Sequence, residues 1–232
     1  MAGTIARLNW DAIEQSLDDD GNAVLPGLLE PDQCREVSSL YGREGLFRAR
    51  IIMARHGFGK GEYQYFSYPL PALVETLRRS LYPPLVRIAN RWNHDLGIHV
   101  RYPEALDDFL HRCHDAGQTR PTPLILRYVR GDYNCLHQDL YGEHVFPLQV
   151  AILLSEPGKD FTGGEFVMTE TLGSTQRAGV VRLCLGDAVV FTVNQRPVAG
   201  KRGLRKAAMR HGVSQVHCGN RYTMGLIFHD AR

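Results

Sequence analysis

No apolar run in this 232-residue chain reaches the roughly 18 residues that a membrane-crossing helix needs, so a helical membrane protein is not expected. The opening stretch, Met1 to Trp10, lacks the apolar core of a secretory leader, which predicts a cytoplasmic protein. Cysteine is scarce and scattered. Cys34, Cys113, Cys135, Cys184 and Cys218 are odd in number and include no C-x-x-C pair. That argues against a disulfide framework or a cysteine zinc site and for reduced thiols. An excess of one charge is also lacking. With 27 Lys+Arg against 25 Asp+Glu the net charge is +2, which decides nothing about a nucleic-acid partner. Internal repeats and low-complexity tracts are missing too. What is present is 44% hydrophobic residues over a length that suits one large domain, or one domain with an N-terminal extension.

The pattern changes near residue 120. Before it, Trp10 to Leu17 predicts a short helix, Asp18 to Asn22 a turn, and Ala23 to Leu25 a strand. Pro31 to Tyr41 predicts a helix with proline in its first turn. Leu70 to Leu81 and Leu85 to Trp92 read as two helices separated by Pro83-Pro84, and Pro103 to Cys113 as another. From Thr122 onward, short strands at close spacing with glycine turns predict a mainly β fold, an all-β double-sheet roll flanked by helices. The expected division is a support region over residues 1–120 packed on a β core over residues 121–232, within one integrated domain.

The chemistry concentrates in the second part. In an extended strand residues two apart share a face, so His137 and Asp139 of His137-Gln138-Asp139 can converge on one point. A third ligand must come from a distant segment, and His211 is the candidate. Two imidazoles and one carboxylate can hold one face of an octahedral ion and leave the other open, as non-haem Fe(II) oxygenases require. H-x-D alone occurs often by chance, and its setting carries more weight. Leu124 to Tyr133 reads as an apolar strand entering a glycine turn, and Leu148 to Leu154 as a buried strand ending at Ser155-Glu156-Pro157-Gly158.

The order of these pieces resembles the 2-oxoglutarate- and Fe(II)-dependent dioxygenases, on their prolyl-hydroxylase-like side. The matching stretches are Arg127 to Asp139, Gly163-Gly164-Glu165, Gly186 to Phe191, and His211 to Arg221. More narrowly, HQDLYGEHVFPLQ (His137 to Gln149) and GLIFHDA (Gly225 to Ala231) resemble a bacterial oxygenase family labelled as oxidative demethylation of damaged DNA. The resemblance implies a double-stranded β-helix, or jelly-roll, with His137, Asp139 and His211 binding Fe(II). It implies 2-oxoglutarate and O₂ as cosubstrates, with ascorbate as a candidate reductant. Arg221 would pair with the 5-carboxylate of 2-oxoglutarate, since its planar fork suits a carboxylate. Tyr128 and Thr223 are further candidates for the same cosubstrate, although either could be an ordinary sheet residue. One departure matters. Where the family can offer a tyrosine after the H-x-D, this chain has Ile152-Leu153-Leu154, so hydroxyls must come from elsewhere.

Neighbouring residues read as structural. Glu165 matches a turn, His144 falls on the opposite face if the strand continues, and His217 and His229 alternate with apolar residues. Glu143 is a further candidate ligand that the pattern does not favour. Cys135 shares a strand face with His137 and is expected in the pocket wall or in the core.

The implied reaction couples decarboxylation of 2-oxoglutarate to succinate with hydroxylation of a substrate, or demethylation where the carbon is bound to nitrogen. Basic Arg196 to Lys206, and Arg55 to Phe66 with its glycines and aromatics, could track a phosphate backbone and stack a base. Together with the label of the family that the chain resembles, these stretches make alkylated DNA one expected substrate. A protein or small-molecule hydroxylase, or a metal-binding jelly-roll sensor or scaffold without turnover, are the alternatives. The residues expected to contact nucleic acid are Arg196, Lys201, Arg202, Arg205 and Lys206. Neutralising the last four should abolish salt-dependent DNA binding in a filter-binding assay; undiminished binding would remove these loops from consideration.

Overall fold

The computed structural model describes residues 2–200 and 203–232. Its helices are α1 (Ala2–Ala6), α2 (Trp10–Asp20), α3 (Pro31–Ser39), α4 (Ala72–Asp95) and α5 (Leu106–Asp115). Strands β1 (Asn22–Leu25), β2 (Phe47–Ile52), β3 (Gly59–Lys60) and β4 (Glu62–Phe66) precede residue 120. Then come β5 (Leu124–Val129), β6 (Tyr133–His137), β7 (Leu148–Leu153), β8 (Phe161–Gly163) and β9 (Phe166–Leu172). The last are β10 (Thr175–Val181), β11 (Ala188–Thr192), β12 (Gln195–Gly200), β13 (Gly203–Val213) and β14 (Val216–Leu226).

The major sheet runs β1-β11-β7-β14-β5-β4-β2, with β8 paired to β14. The minor sheet runs β10-β9-β13-β6-β3, with β12 paired to β13. This is the expected mainly β, two-sheet roll. Strands from before residue 120 enter both sheets: β1 pairs with β11 and β4 with β5, while β3 pairs with β6. The helices cover the outer face of the major sheet through one large apolar cluster that includes Leu77, Leu81, Phe109, Phe146, Ile152 and Phe228. Between the sheets, Phe166, Met168, Phe191 and Met209 fill one end, and the other end remains a cavity.

Three local expectations need correction. Leu70 to Trp92 is not two helices, because α4 runs unbroken through Pro83 and Pro84. Each proline removes one intrahelical hydrogen bond and crowds the turn before it. A continuous stripe offsets that cost. Leu77, Leu81, Leu85, Ile88 and Trp92, spaced three or four residues apart, are all buried on both sides of the prolines. Helix α2 continues to Asp20, beyond the expected stop at Leu17, and Gly21 closes it at φ 73°. Three acidic residues at a helix C-terminus are unfavourable alone. Asp18, however, accepts hydrogen bonds from Arg91 Nη2 at 2.7 Å and Trp92 Nε1 at 2.6 Å, which tie α2 to α4. Helix α5 begins at Leu106 rather than at the expected Pro103.

The segment after β6 is held by a polar network from the helical layer. Gln118 Oε1 accepts from the backbone N–H groups of Glu143 and His144, and its Nε2 donates to the Asp230 carbonyl at 2.6 Å. Asp230, fully buried, pairs with Arg78 at 2.8 Å and accepts from Tyr68. Next to it, His229 Nδ1 accepts the Phe146 N–H at 3.1 Å, so the ring must be neutral to hold that bond. Burial, with the Arg78 charge nearby, pushes the His229 imidazole down to about 4. The unfolded chain therefore binds this proton first as pH falls, and stability should drop between roughly pH 6.5 and 4. A loss of about 2 kcal/mol between pH 7 and pH 5 is expected in urea denaturation. His229→Asn retains an acceptor and should flatten that slope; an unchanged slope would assign it to another group.

Candidate active site

The site begins with a mismatch in register. His211 of β13 faces His137 of β6, yet Val213 faces Asn134, so two steps on β13 span three on β6. The extra residue makes a β-bulge, which re-aims side chains locally. Gly212 sits against it. A Cβ there would lie 2.7 Å from the Asn134 carbonyl oxygen, so the glycine of His211-Gly212-Val213 is what admits the bulge. As a result Asn134 and His137 both line the cavity, while Cys135 and Leu136 are exposed. This corrects the expectation that Cys135 would share the His137 face or be buried. It contributes its carbonyl instead, at 2.7 Å from His137 Nδ1. That bond places the proton on Nδ1 and leaves Nε2 free as an electron-pair donor.

Strand β6 ends at His137, so Asp139 is not delivered by strand alternation as the H-x-D spacing suggests. Gln138 does the work. Its Nε2 donates to the carbonyls of Met209 at 2.7 Å and Asn194 at 3.1 Å, docking the segment on β13. Asp139 Oδ1 then lies 3.4 Å from His137 Nε2, and Oδ2 lies 3.5 Å from His211 Nε2. One ligand atom from each of the three residues falls within 4.8 Å of the others. Burial opposes the Asp139 charge, but the hydrogen bond and charge of His211, with His137 and Gln149, hold its carboxyl down at about 2. Burial, and then the neighbouring His211, hold the His137 imidazole below its ordinary value. A carboxylate at Asp139 and a neutral imidazole at His137 are protonation states that suit a divalent cation.

The inner face of the major sheet forms rows across its strands. Arg221 stands opposite Tyr128. The next row holds Leu153, Thr223, Leu126 and Tyr63, and the next Ala151, Gly225, Leu124 and Tyr65. Gln149 follows, opposite Phe191. Arg221 and Thr223 share a strand face as expected, and Arg221 Nη1 donates to Thr223 Oγ1 at 2.6 Å. The Arg221 carbon Cζ lies 5.6 Å from the Tyr128 ring centroid and 5.8 Å from that of Phe161. A Cβ on Gly164 would come within 2.9 Å of Arg221 Cδ, which explains the second glycine of Gly163-Gly164-Glu165. Glu165 turns out to Ser214, and His144 lies in a loop, so neither joins the ligand cluster.

Sequence reasoning missed Asn134 and Gln149, which also line the cavity. Gln149 carried a usable signal, since it is a lone amide in the otherwise apolar, fully buried strand β7. Tyr63 and Tyr65 lay in a stretch expected as a basic loop; they are strand residues facing the cavity. The basic hairpin fares differently. Arg196 is 4% exposed, donates from Nε to Glu170 at 2.6 Å and is ion-paired there, so it is not a surface phosphate contact. Arg205 and Lys206 are exposed on β13, and Lys201 and Arg202 lie outside the described residues.

Arg221 is 2% exposed, pairs with no carboxylate among the described residues, and has an unpartnered Nε. Burial pushes its guanidinium down to about 10, which leaves it charged at neutral pH. An uncompensated buried charge opposes folding. Arg221→Met should therefore stabilise the ligand-free protein by about 1 kcal/mol, a rise of roughly 2–4 °C in Tm by calorimetry. A large loss of stability would mean that the arginine is structural.

Comparison with known proteins agrees with this geometry. The profile of the Oxygenase-NA family, described as an oxygenase catalysing oxidative methylation of damaged DNA, matches residues 61–231. An uncharacterized protein of Mycobacterium tuberculosis, found in two strains, is 46% identical over 198 residues, covering 85% of this chain and 81% of the relative. Among solved structures, a Pseudomonas putida prolyl-4-hydroxylase is similar at 15% identity and a TM-score of 0.55, over 96% of this chain and 99% of its own. A 2OG-Fe(II) oxygenase family oxidoreductase from Burkholderia pseudomallei covers 97% and 93% respectively, at 15% identity and a TM-score of 0.57. These likenesses place the two-sheet roll among the prolyl-hydroxylase-like double-stranded β-helix folds.

Proposed function

Because the chain belongs to the Oxygenase-NA family of oxygenases, we propose that it is a 2-oxoglutarate- and Fe(II)-dependent dioxygenase that oxidatively demethylates alkylated nucleic acid. One observation carries the reaction class: a cavity with three convergent metal-type ligands also holds a buried arginine that lacks a carboxylate partner. His137, Asp139 and His211 would hold the iron. Arg221, with Thr223 and Tyr128, would hold 2-oxoglutarate. The residues fit both groups. The hydroxyl of Tyr128 and Nε of Arg221 are buried without partners, as expected of groups that bind a carboxylate. The stretch Ile152-Leu153-Leu154 offers no tyrosine, and Thr223, paired with Leu153 across the sheet, would supply a hydroxyl instead.

When bound, Fe(II) with 2-oxoglutarate and O₂ would supply the oxidising power to hydroxylate a C–H bond, with succinate and CO₂ as coproducts. The protein's own contribution is positional. The Cys135 carbonyl fixes the His137 tautomer, Gln138 sets the approach of Asp139, and Phe166 and Phe191 pack against His211. Arg221 fixes the cosubstrate by charge at one end, leaving the remainder of the cavity for the group to be oxidised. A methyl group on nitrogen, once hydroxylated, leaves as formaldehyde. Nucleic acid as substrate is supported by the family description and by the aromatic lining of that remainder.

Anaerobic addition of Fe(II) and 2-oxoglutarate to the purified chain should produce a visible charge-transfer band that needs both additions. Admission of O₂ should then yield succinate. His137→Ala should lose the band and reduce succinate formation at least a hundredfold. A folded, metal-loaded protein that gives neither band nor succinate would overturn the reading in favour of a non-catalytic metal-binding roll.

A further inference from the structure

Beyond Asp139 from Arg221, the cavity wall changes character. Gly225 contributes no side chain, so its row is recessed between Ala151 and Leu124. Tyr65 closes that row, with Tyr63 set edge-on at 5.3 Å and 86°. Gln149 forms the adjoining corner. It is 5% exposed, lines the cavity beside Asp139, and its Nε2 has no partner at full hydrogen-bond geometry. A buried amide donor left unpaired is costly in an apolar strand, and a ligand acceptor removes that cost.

A cation completes the arrangement. The Arg48 guanidinium lies 4.4 Å from the centroid of the Tyr65 ring and donates Nε to the Pro121 carbonyl at 2.8 Å. It forms no ion pair among the described residues; the charges near it are Arg120, an exposed cation, and the buried Asp230, which is already paired with Arg78. An arginine lying over a tyrosine ring, with N–H groups unpaired among the described residues, can take a phosphate.

We infer that Tyr65, Gln149 and Arg48 form a nucleotide subsite, in which Tyr65 packs a flat heteroaromatic ring, Gln149 Nε2 donates to an acceptor on its edge, and Arg48 takes the flanking phosphate. This rests on the dioxygenase reading above and assigns the residues that choose its substrate. The three contacts answer different questions. Stacking tolerates any base, the amide discriminates by edge, and the arginine contact is blind to sequence.

The test is anaerobic fluorescence anisotropy on the full chain loaded with Fe(II) and 2-oxoglutarate. The probes are a labelled single-stranded oligonucleotide carrying one 3-methylcytosine, whose O2 is an acceptor, and its counterpart with an abasic residue at that position. The wild type should prefer the strand that carries the base. Tyr65→Leu should weaken binding of that strand roughly tenfold, and Tyr65→Phe should restore it. Gln149→Leu should bring the two affinities close together. Arg48→Met should weaken both equally and lower the salt slope by about one. No oligonucleotide binding while the charge-transfer band is intact overturns this inference and leaves the dioxygenase reading standing, whereas a missing band defeats that reading first. Unaltered binding in Tyr65→Leu and Gln149→Leu overturns it as well. Loss of iron affinity in Gln149→Leu, without altered discrimination, would make the amide a support for Asp139 instead.

Discussion

The chemistry of this protein depends on one cross-strand pair, His211 opposite His137. A strand alternates faces at every residue, so a slip of one position would turn His211 out to solvent and dismantle the cluster. The register is held from both sides. β13 pairs with β9, which sets His211 opposite Met168, and with β6 through the bulge that Gly212 admits. The rings of His137 and His211 are brought to 4.2 Å between centroids with their Nε2 atoms turned to one carboxylate. Asp139 has no strand to hold it and depends on amides: Gln138 docks its own segment, and Gln118 clamps the loop four residues on. The fold therefore uses backbone pairing for the histidines and side-chain hydrogen bonds for the aspartate.

The distribution of unpaired buried polar atoms follows the same geography. Tyr128 Oη, Asn134 Oδ1, Gln149 Nε2, His211 Nδ1 and Arg221 Nε all belong to residues lining one cavity, and among the described residues only Tyr41 Oη and Arg127 Nε lie elsewhere. Each such atom costs on the order of 1–3 kcal/mol when nothing pairs it. Native folds keep few of them, so their concentration in one place marks a surface shaped for a polar ligand rather than for packing. Around that surface the same fold satisfies far more demanding groups, including the Arg78–Asp230 pair at full burial.

Much of this was legible in the sequence, and the exceptions have physical causes. The strands announced themselves because a two-sheet roll buries continuous apolar runs such as Leu148 to Leu153. The three metal-type ligands and Arg221 were legible from order and spacing. The bulge was not: it is a property of two strands in register, and no single segment encodes it, so Cys135 was placed on the wrong face. The unbroken α4 was hidden for the opposite reason. Local proline chemistry dominates a sequence reading, while the stripe that overrides it gains its energy only on burial against the sheet. Asp139 looked like a strand residue because two-residue spacing is also what a short extended segment beyond the strand produces.

Three buried arginines show why composition and charge runs could not separate support from function. Arg78 and Arg196 are 0% and 4% exposed, and each is matched by a carboxylate, Asp230 and Glu170. Arg196 even lies in the basic run that invited a nucleic-acid reading. Its partner cancels its charge, so it can attract no phosphate, and its work is to bind the β12 hairpin to β9 and α2. Arg221 is buried as deeply, makes no ion pair among the described residues, and is flanked by a hydroxyl and two aromatic rings. A guanidinium desolvated to that degree gains far more from a carboxylate ligand than an exposed one, because no water competes and the surrounding dielectric is low. A dicarboxylate reaching from Arg221 to the three-ligand cluster would compensate the arginine with one carboxylate and leave the other beside the metal. On the proposed reading, this buried charge, without a carboxylate partner among the described residues, is thus the element that would tie an anion site to the three-ligand cluster within a single cavity.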